Sequence, residues 1–518
     1  MAEPSRRNVL LITVDQWRGD CVGAWGHPLV RTPAIDRLVA EGTSFRRHWA
    51  NAVPCGPSRA SLYTGLYAMN HRSVLNGTPL DARFTNVALE ARAAGYEPAL
   101  FGYTDTSVDP RTVGPDDPRL RTYEGVLPGF DPVCDLPSEP LGPWLDWLAE
   151  RGHEVDHEHP HRIYDPADVE VPVGRGATWR PARYGADETE TAFLTGRALD
   201  WLEERARQRR PWFAHVSYLR PHPPYLVPSP WHDAYDPADI APFVGAPTRE
   251  AEGAIHPIAA VATTMVGVAG APEDELDRRQ LRATYYGMMG EVDAQLGRLL
   301  DGLDELGQAD DTLVVLTADH GDLAGDHWLI EKLGWWDEAY SVPMVVRDPT
   351  APPAARGRHV EATTEHVDVT PTVVDWLGRD VPEACDGRSL LPFLSGTGQA
   401  PARWRTDAHM EWDFRDPVAH TGEDAFGITM DECGLAVQRG PRWTYVHLAA
   451  EALPDLLFDR SVDPHLQHDL VADPDHAGVL ADQARRLLSW RMRHADRTHT
   501  GTLLGPHGPH HRVDPRVG

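Results

Sequence analysis

Two acid-bearing pairs stand where strands should end. Asp15-Gln16 closes the apolar run Leu-Ile-Thr-Val, and Asp319-His320 follows the apolar segment 312–317. In open α/β sheets ligands collect at the carboxyl ends of strands, so both pairs occupy ligand-binding positions. One Asp after a strand is ordinarily a turn or helix cap. Two such pairs converging from separate strands make a metal site: Asp15, Gln16, Asp319 and His320. Their two carboxylates balance one divalent ion and leave coordination positions for a nucleophile and a substrate. Three oxygen donors and one imidazole favour Mn²⁺, with Ca²⁺, which prefers all-oxygen cages, as the alternative.

The stretch Pro54-Cys55-Gly56-Pro57-Ser58-Arg59-Ala60-Ser61 is the most informative in the chain. An isolated cysteine is most often a small buried hydrophobe. The five cysteines (Cys21, Cys55, Cys134, Cys385, Cys433) are too few and too scattered for a disulfide framework. A thiol-phosphatase loop would need Arg where Ser61 stands, and the surroundings of a papain-like cysteine are absent. Pro57 and Ser58 open a helix, whose first N–H groups favour an anion.

Alternating strand-like and helix-like segments must position these residues. Strands are predicted at 8–14, 98–102, 212–218, 312–317 and 343–347. Thr32 and Pro33 begin a helix that Gly42 ends, and a second helix spans 87–94. Between 273 and 307 the residues Leu281, Tyr285, Met288, Val292, Leu296, Leu299, Leu303 and Leu306 recur at three and four, which makes a long amphipathic helix packed on the core. The pattern is that of an α/β layer structure with a mostly parallel sheet. Stretches 106–187 and 228–272, rich in Pro, Gly, Asp and His, read as long loops over that sheet. His153, His157, His159 and His161 have no metal-motif spacing and are given no role. After 385 the pattern changes to short strands at 435–439 and 443–447 and a helix at 479–493. The tail beyond His494 has no core of its own and would order only against another surface.

Composition narrows the partners. With 49 Lys and Arg against 78 Asp and Glu, the net charge is −29, which argues against nucleic-acid binding and requires a locally positive site for any anionic substrate. No apolar stretch approaches the ~20 residues needed to cross a bilayer. The run 9–14 is too short for a signal-peptide core, so the chain is read as cytoplasmic.

Cys-x-Pro-Ser-Arg at 55–59 resembles the modification signature of type I sulfatases in the alkaline phosphatase superfamily. Asp15-Gln16, Gly102-Tyr103-Thr104, Arg220-Pro221-His222-Pro223-Pro224 and the tail Ser489-Trp490-Arg491 with His494-Ala495-Asp496-Arg497-Thr498 more closely resemble the phosphonate monoester hydrolase and phosphodiesterase branch. The resemblance runs nearly end to end. It implies an α/β, alkaline-phosphatase-like sandwich, with a large, mostly parallel central sheet flanked by helices and a smaller C-terminal α+β subdomain. The expected division is 1–384 catalytic, 385–493 C-terminal subdomain and 494–518 an intersubunit tail. A homo-oligomer, often a tetramer, is implied too.

In that family the cysteine becomes formylglycine through a formylglycine-generating enzyme. The aldehyde at Cys55 would hydrate, and one hydroxyl would attack sulfur or phosphorus while the other allows the product ester to collapse. Arg59 and Lys332 match residues that contact the reacting group. His222, beyond the strand 212–218, is the expected proton donor to the leaving oxygen. Asn76 and Tyr103 match positions lining the substrate oxygens. Asp105 departs from the pattern, standing where those hydrolases carry a small hydroxyl residue. It is assigned to collapse of the hemiacetal or to rejection of doubly charged esters.

The expected substrate is a small anionic ester. Sulfate monoesters, phosphodiesters and phosphonate monoesters each carry about one negative charge near neutral pH, so one site can accept all three. The reading is a phosphonate monoester hydrolase and phosphodiesterase, promiscuous toward sulfates. An arylsulfatase is the first alternative, and an inactive metal-binding homologue the second.

Overall fold

The computed structural model describes residues 7–138, 141–265, 267–395 and 400–511. Eight strands form the central sheet: β1 (Asn8–Val14), β2 (Thr43–Phe45), β3 (Pro98–Gly102), β4 (Asp131–Asp135), β5 (Phe213–Tyr218), β6 (Thr312–Ala318), β7 (Met344–Arg347) and β8 (Arg358–Val360). Their spatial order is β8-β2-β7-β6-β1-β5-β3-β4. Every neighbouring pair is parallel except those made by β7, which runs against both β6 and β2.

Strand β1 is apolar at nearly every position because helices cover both faces of the sheet. Leu10, Ile12 and Val14 pack with Ile35 and Leu38 of helix α1 (Pro33–Glu41), Leu194 and Trp201 of α2 (Glu190–Gln208) and Leu296 and Leu299 of α3 (Glu275–Glu305). Val9 and Leu11 point the other way, onto Leu62 and Tyr63 of the helix Cys55–Thr64 and Val369 and Val373 of the helix Val369–Trp376. Each such side chain contributes ~1.5–3 kcal/mol by leaving water.

A second, smaller sheet joins the antiparallel strands Ala408–Asp413, Gly434–Arg439, Trp443–Leu448 and Leu456–Asp459. Its edge partner comes from far away in sequence: Ala52–Val53 pairs in parallel with Glu411 and Trp412. The helix Ala477–Arg493 lays Leu487 and Trp490 over this sheet. Residues 502–511 form a two-stranded hairpin that, among the described residues, pairs with no other strand and exposes Leu503 and Leu504.

The two stretches read as long loops are corrected in part. The first contains β4 and the helix Gly142–Glu150, which buries Trp144, Leu145 and Leu148. The second contains the helices Arg249–Gly253 and Pro257–Thr264. These elements are one to three turns long, too short for periodicity to stand out among prolines and glycines.

Candidate active site

Strands β1 and β6 are neighbours in register, Val14 opposite Ala318, so the residues that follow them are adjacent. Asp15 and Asp319 lie side by side, both with no solvent exposure. The chain turns sharply at Gln16, whose φ of 69° is left-handed. This turn lets the Gln16 N–H donate to Asp319 Oδ1 at 3.0 Å. His320 is anchored through Nδ1 to the Gly321 carbonyl at 3.0 Å, which leaves Nε2 facing the cluster. Cys55, the first residue of its helix, sits against it: Sγ is 3.1 Å from His320 Nε2 and 4.0 Å from Asp15 Oδ1. Ligand atoms of Asp15, Cys55, Asp319 and His320 all fall within 4.8 Å of one another. Two buried carboxylates and an imidazole nitrogen fit a single divalent cation.

Arg59, one turn along the Cys55 helix and fully buried, spans both acids. Its Nε donates to Asp319 Oδ2 at 2.8 Å and its Nη2 to Asp15 Oδ2 at 3.1 Å. Nη1 donates to Ser217 Oγ at 2.7 Å, and the guanidinium lies 4.3 Å from the Tyr103 ring centroid. Burial works against the Arg59 charge, yet the surrounding acidic groups hold its pKa well above the ordinary value. Burial likewise pushes the Asp15 carboxyl up, but His222, Arg59, His320 and Lys332 outweigh it and keep the group ionised. The Tyr103 hydroxyl also donates to Asp15. Tyr103 reaches this position because Gly102 precedes it with φ 96°, where a Cβ would sit 2.0 Å from the Ser217 carbonyl oxygen.

Lys332 approaches from the opposite side, its Nζ 2.7 Å from Gln16 Oε1 and 3.0 Å from Glu331 Oε2. The Gln16 side-chain oxygen therefore faces Lys332, while its nitrogen donates to Asp322 Oδ2 at 2.8 Å. Tyr225 donates to the same Asp322 oxygen at 2.7 Å. Sequence reasoning missed Asp322, Glu331 and Tyr225. Asp322 follows Asp319 within one turn and Glu331 adjoins Lys332, so adjacency was the available signal. Burial and the Glu331 charge push Asp322 up, whereas Lys332 and His222 overcome burial to hold Glu331 down. Burial opposes the Lys332 charge too, but Cys55, Glu331 and Asp15 keep it protonated.

His222 follows β5 in a proline-rich loop, its Nδ1 2.8 Å from the Pro223 carbonyl oxygen. Burial, reinforced by Lys332, lowers its pKa. Arg220 clamps the loop, donating from Nη1 to the carbonyls of His222 at 2.7 Å and Pro224 at 3.0 Å while pairing with Glu190. Asn76 Oδ1 accepts the Gly56 N–H at 2.8 Å, next to Cys55. Asp105, with φ 49°, is 5 % exposed and its Oδ1 has no hydrogen-bond partner among the described residues. Burial drives its pKa well above the ordinary value, and Glu124, Asp15 and Asp319 add to the effect against Arg59. Of the four histidines given no role, His153 meets Glu188 at 3.0 Å and His159 meets Asp156 at 3.3 Å.

The family described as Sulfatase matches residues 7–379, and the one described as N-sulphoglucosamine sulphohydrolase, C-terminal, matches residues 325–493. The phosphonate monoester hydrolase of Agrobacterium radiobacter is 46% identical, with a TM-score of 0.91 over 98% of this chain and 100% of its own. The phosphonate monoester hydrolase from Silicibacter pomeroyi is 40% identical, with a TM-score of 0.92 over the same shares. The multifunctional alkaline phosphatase superfamily protein PehA of Trinickia caryophylli is 41% identical over 97% of this chain and 99% of its own length. A site built on adjoining strand ends, in a fold shared from end to end with these proteins, leaves one assignment: this chain is an ester hydrolase that belongs to the sulfatase family.

Proposed function

We propose that the chain is a formylglycine-dependent metallohydrolase of phosphonate monoesters and phosphodiesters, promiscuous toward sulfate monoesters. The observation that carries this reading is the position of Cys55, wedged against His320 and Asp15 beside a guanidinium that spans Asp15 and Asp319. The end-to-end likeness to two phosphonate monoester hydrolases supports that choice over an arylsulfatase. Asp15, Gln16, Asp319 and His320 would hold one divalent ion, Mn²⁺ in preference to Ca²⁺ for the imidazole in the set. Such an ion would supply positive charge to the nucleophile and to the substrate oxygens. Formylglycine made from Cys55 would supply, as its hydrate, a nucleophilic hydroxyl and a second hydroxyl for release of the product.

The chain's own residues do the rest. Arg59 holds the two carboxylates in place and lends its charge to the reacting oxygens. Lys332, fixed by Gln16 and Glu331, presents a second cation to the bound anion. Burial and Lys332 lower the His222 pKa, and a substrate anion beside the ring would favour the protonated form that serves the leaving oxygen. Asn76 braces Gly56 beside the nucleophile.

Cys55 and its flanking residues 56–61 are buried, so a formylglycine-generating enzyme must act before this segment folds. We further infer a catalytic unit 1–384, a C-terminal unit 385–493 and a tail that meets a second copy of the chain. A cytoplasmic homo-oligomer fits the five buried free cysteines and the exposed Leu488, Met492, Leu503 and Leu504. Among the described residues, no helix is long and apolar enough to cross a membrane.

Mass analysis of the peptide containing residue 55, combined with parallel assays on aryl phosphonate, phosphodiester and aryl sulfate esters, tests the reading. The expected result is an aldehyde or its hydrate at 55 and phosphonate or diester turnover at least matching sulfate. A thiol in the active preparation, or sulfate dominance by a wide margin, overturns it. Cys55→Ala should lose on the order of 10⁴-fold or more in kcat.

A further inference from the structure

A cavity of about 460 Å³ opens beside the site. Its inner end is formed by Pro54, Asn76 and Lys332, the residues around the nucleophile, and its wall by Met265, Phe414 and Phe426. Phe414 and Phe426 meet edge to face with ring centroids 6.1 Å apart, and all three wall side chains pack against the core beneath the small sheet. Both carboxylates of the wall have partners of their own. Arg415 Nε donates to Asp413 Oδ1 at 2.8 Å. Asp416 accepts from the Val418 and Ala419 N–H groups at 3.1 and 2.9 Å and from Thr421 Oγ1 at 3.0 Å. Asn76 Oδ1 is engaged by Gly56. Lys332, held by Gln16 and Glu331, stands at the reacting end.

A cavity of this kind stabilises an apolar group and penalises any hydroxyl or charge brought in without a partner. A sugar or nucleotide arm would need hydrogen-bond partners along the wall, where rings and aliphatic chains predominate. We propose that the cavity receives an uncharged apolar arm of the ester, aryl or branched alkyl. The substrate class is then monoanionic esters bearing such an arm, with Met265, Phe414 and Phe426 determining specificity. This rests on the ester-hydrolase reading given above.

The test uses full-length enzyme with residue 55 converted, and two variants outside the reacting machinery, Met265→Trp to fill the cavity and Phe426→Ala to open it. Both are assayed on p-nitrophenyl methylphosphonate and p-nitrophenyl naphthylphosphonate, which vary the arm on phosphorus. A second pair, the methyl and naphthyl esters of phenylphosphonate, varies the arm on oxygen. Met265→Trp should cut kcat/KM for the naphthyl member of one pair at least tenfold, through KM, while its methyl counterpart stays within about twofold. Phe426→Ala should weaken the same preference, and the pair that responds identifies the arm. If naphthyl and methyl members fall together in both pairs, or if the wild type prefers a nucleotide diester to every naphthyl ester, the proposal is overturned. Absence of turnover of all four by the wild type would count against the ester reading instead. Calorimetry of naphthylphosphonate against methylphosphonate on Cys55→Ala then reads the cavity directly. Weaker naphthyl binding on adding Met265→Trp supports the proposal, and unchanged binding overturns it.

Discussion

Asp15 and Asp105 lie close to Cys55, each almost without solvent contact, yet the protein treats their charges oppositely. Asp15 accepts from a fully buried guanidinium and from a tyrosine hydroxyl, and faces a lysine and two histidines, so it stays ionised against the pull of burial. Asp105 has one oxygen with no partner among the described residues, and burial pushes its pKa up, with Glu124, Asp15 and Asp319 adding to the effect against Arg59. Burial alone would push both carboxyls upward, and the arrangement of cations decides which one yields. The two carboxyls are thereby shifted in opposite directions.

A large effect should come from removing the guanidinium that spans Asp15 and Asp319. Arg59→Met leaves Asp15 and Asp319 buried without their shared partner, which should cost ~3–5 kcal/mol in unfolding free energy. Urea denaturation measures this, and a variant as stable as the wild type would erase the distinction between the two acids. Next in size is His222→Ala, which should lower kcat about 10²-fold to 10⁴-fold for alkoxide leaving groups and far less for nitrophenolate. Equal losses across a leaving-group series would remove His222 from proton delivery.

Asp105→Thr should shift the ratio of monoanionic to dianionic ester turnover roughly tenfold, the size of one hydrogen bond to a charged oxygen. Identical ratios in variant and wild type would show that this carboxyl does not discriminate. The most local effect concerns Glu291, a buried acid of helix α3 that accepts from Thr189 Oγ1 at 2.6 Å. Burial pushes it from 4.5 up to about 8. The folded state then holds a proton that the unfolded chain releases above pH 4.5, so stability falls as pH rises toward 8 and levels beyond it. Glu291→Gln should flatten that slope in thermal denaturation between pH 5 and 8 while activity is unchanged. An unaltered slope would mean that burial alone does not set such values here.

Much of this was legible before any coordinates. The strand ends at Asp15 and Asp319 announced themselves because strands covered on both faces are unbroken apolar runs, and polarity returns where they stop. Helix α3 was legible because eight turns carry a period that noise cannot imitate. The direction of β7 was not, since a strand's sequence does not record which way its neighbour runs. Nor were the pairings of His48–Trp49 with Thr364–Glu365 or of Ala52–Val53 with Glu411–Trp412, because two-residue strands carry no periodicity. Asp322 and Glu331 were missed for a related reason. Their role depends on a turn that folds the segment after β6 back beneath Gln16, and no local pattern encodes that return.

The short pairing of Ala52–Val53 has a temporal side. The backbone just ahead of residue 55 is fixed by a strand that the ribosome makes some 360 residues later, so a contact of very long sequence separation completes the reactive centre. During synthesis this pairing cannot form until the last fifth of the polypeptide emerges. The topology thereby makes completion of the backbone around Cys55 a late event in folding.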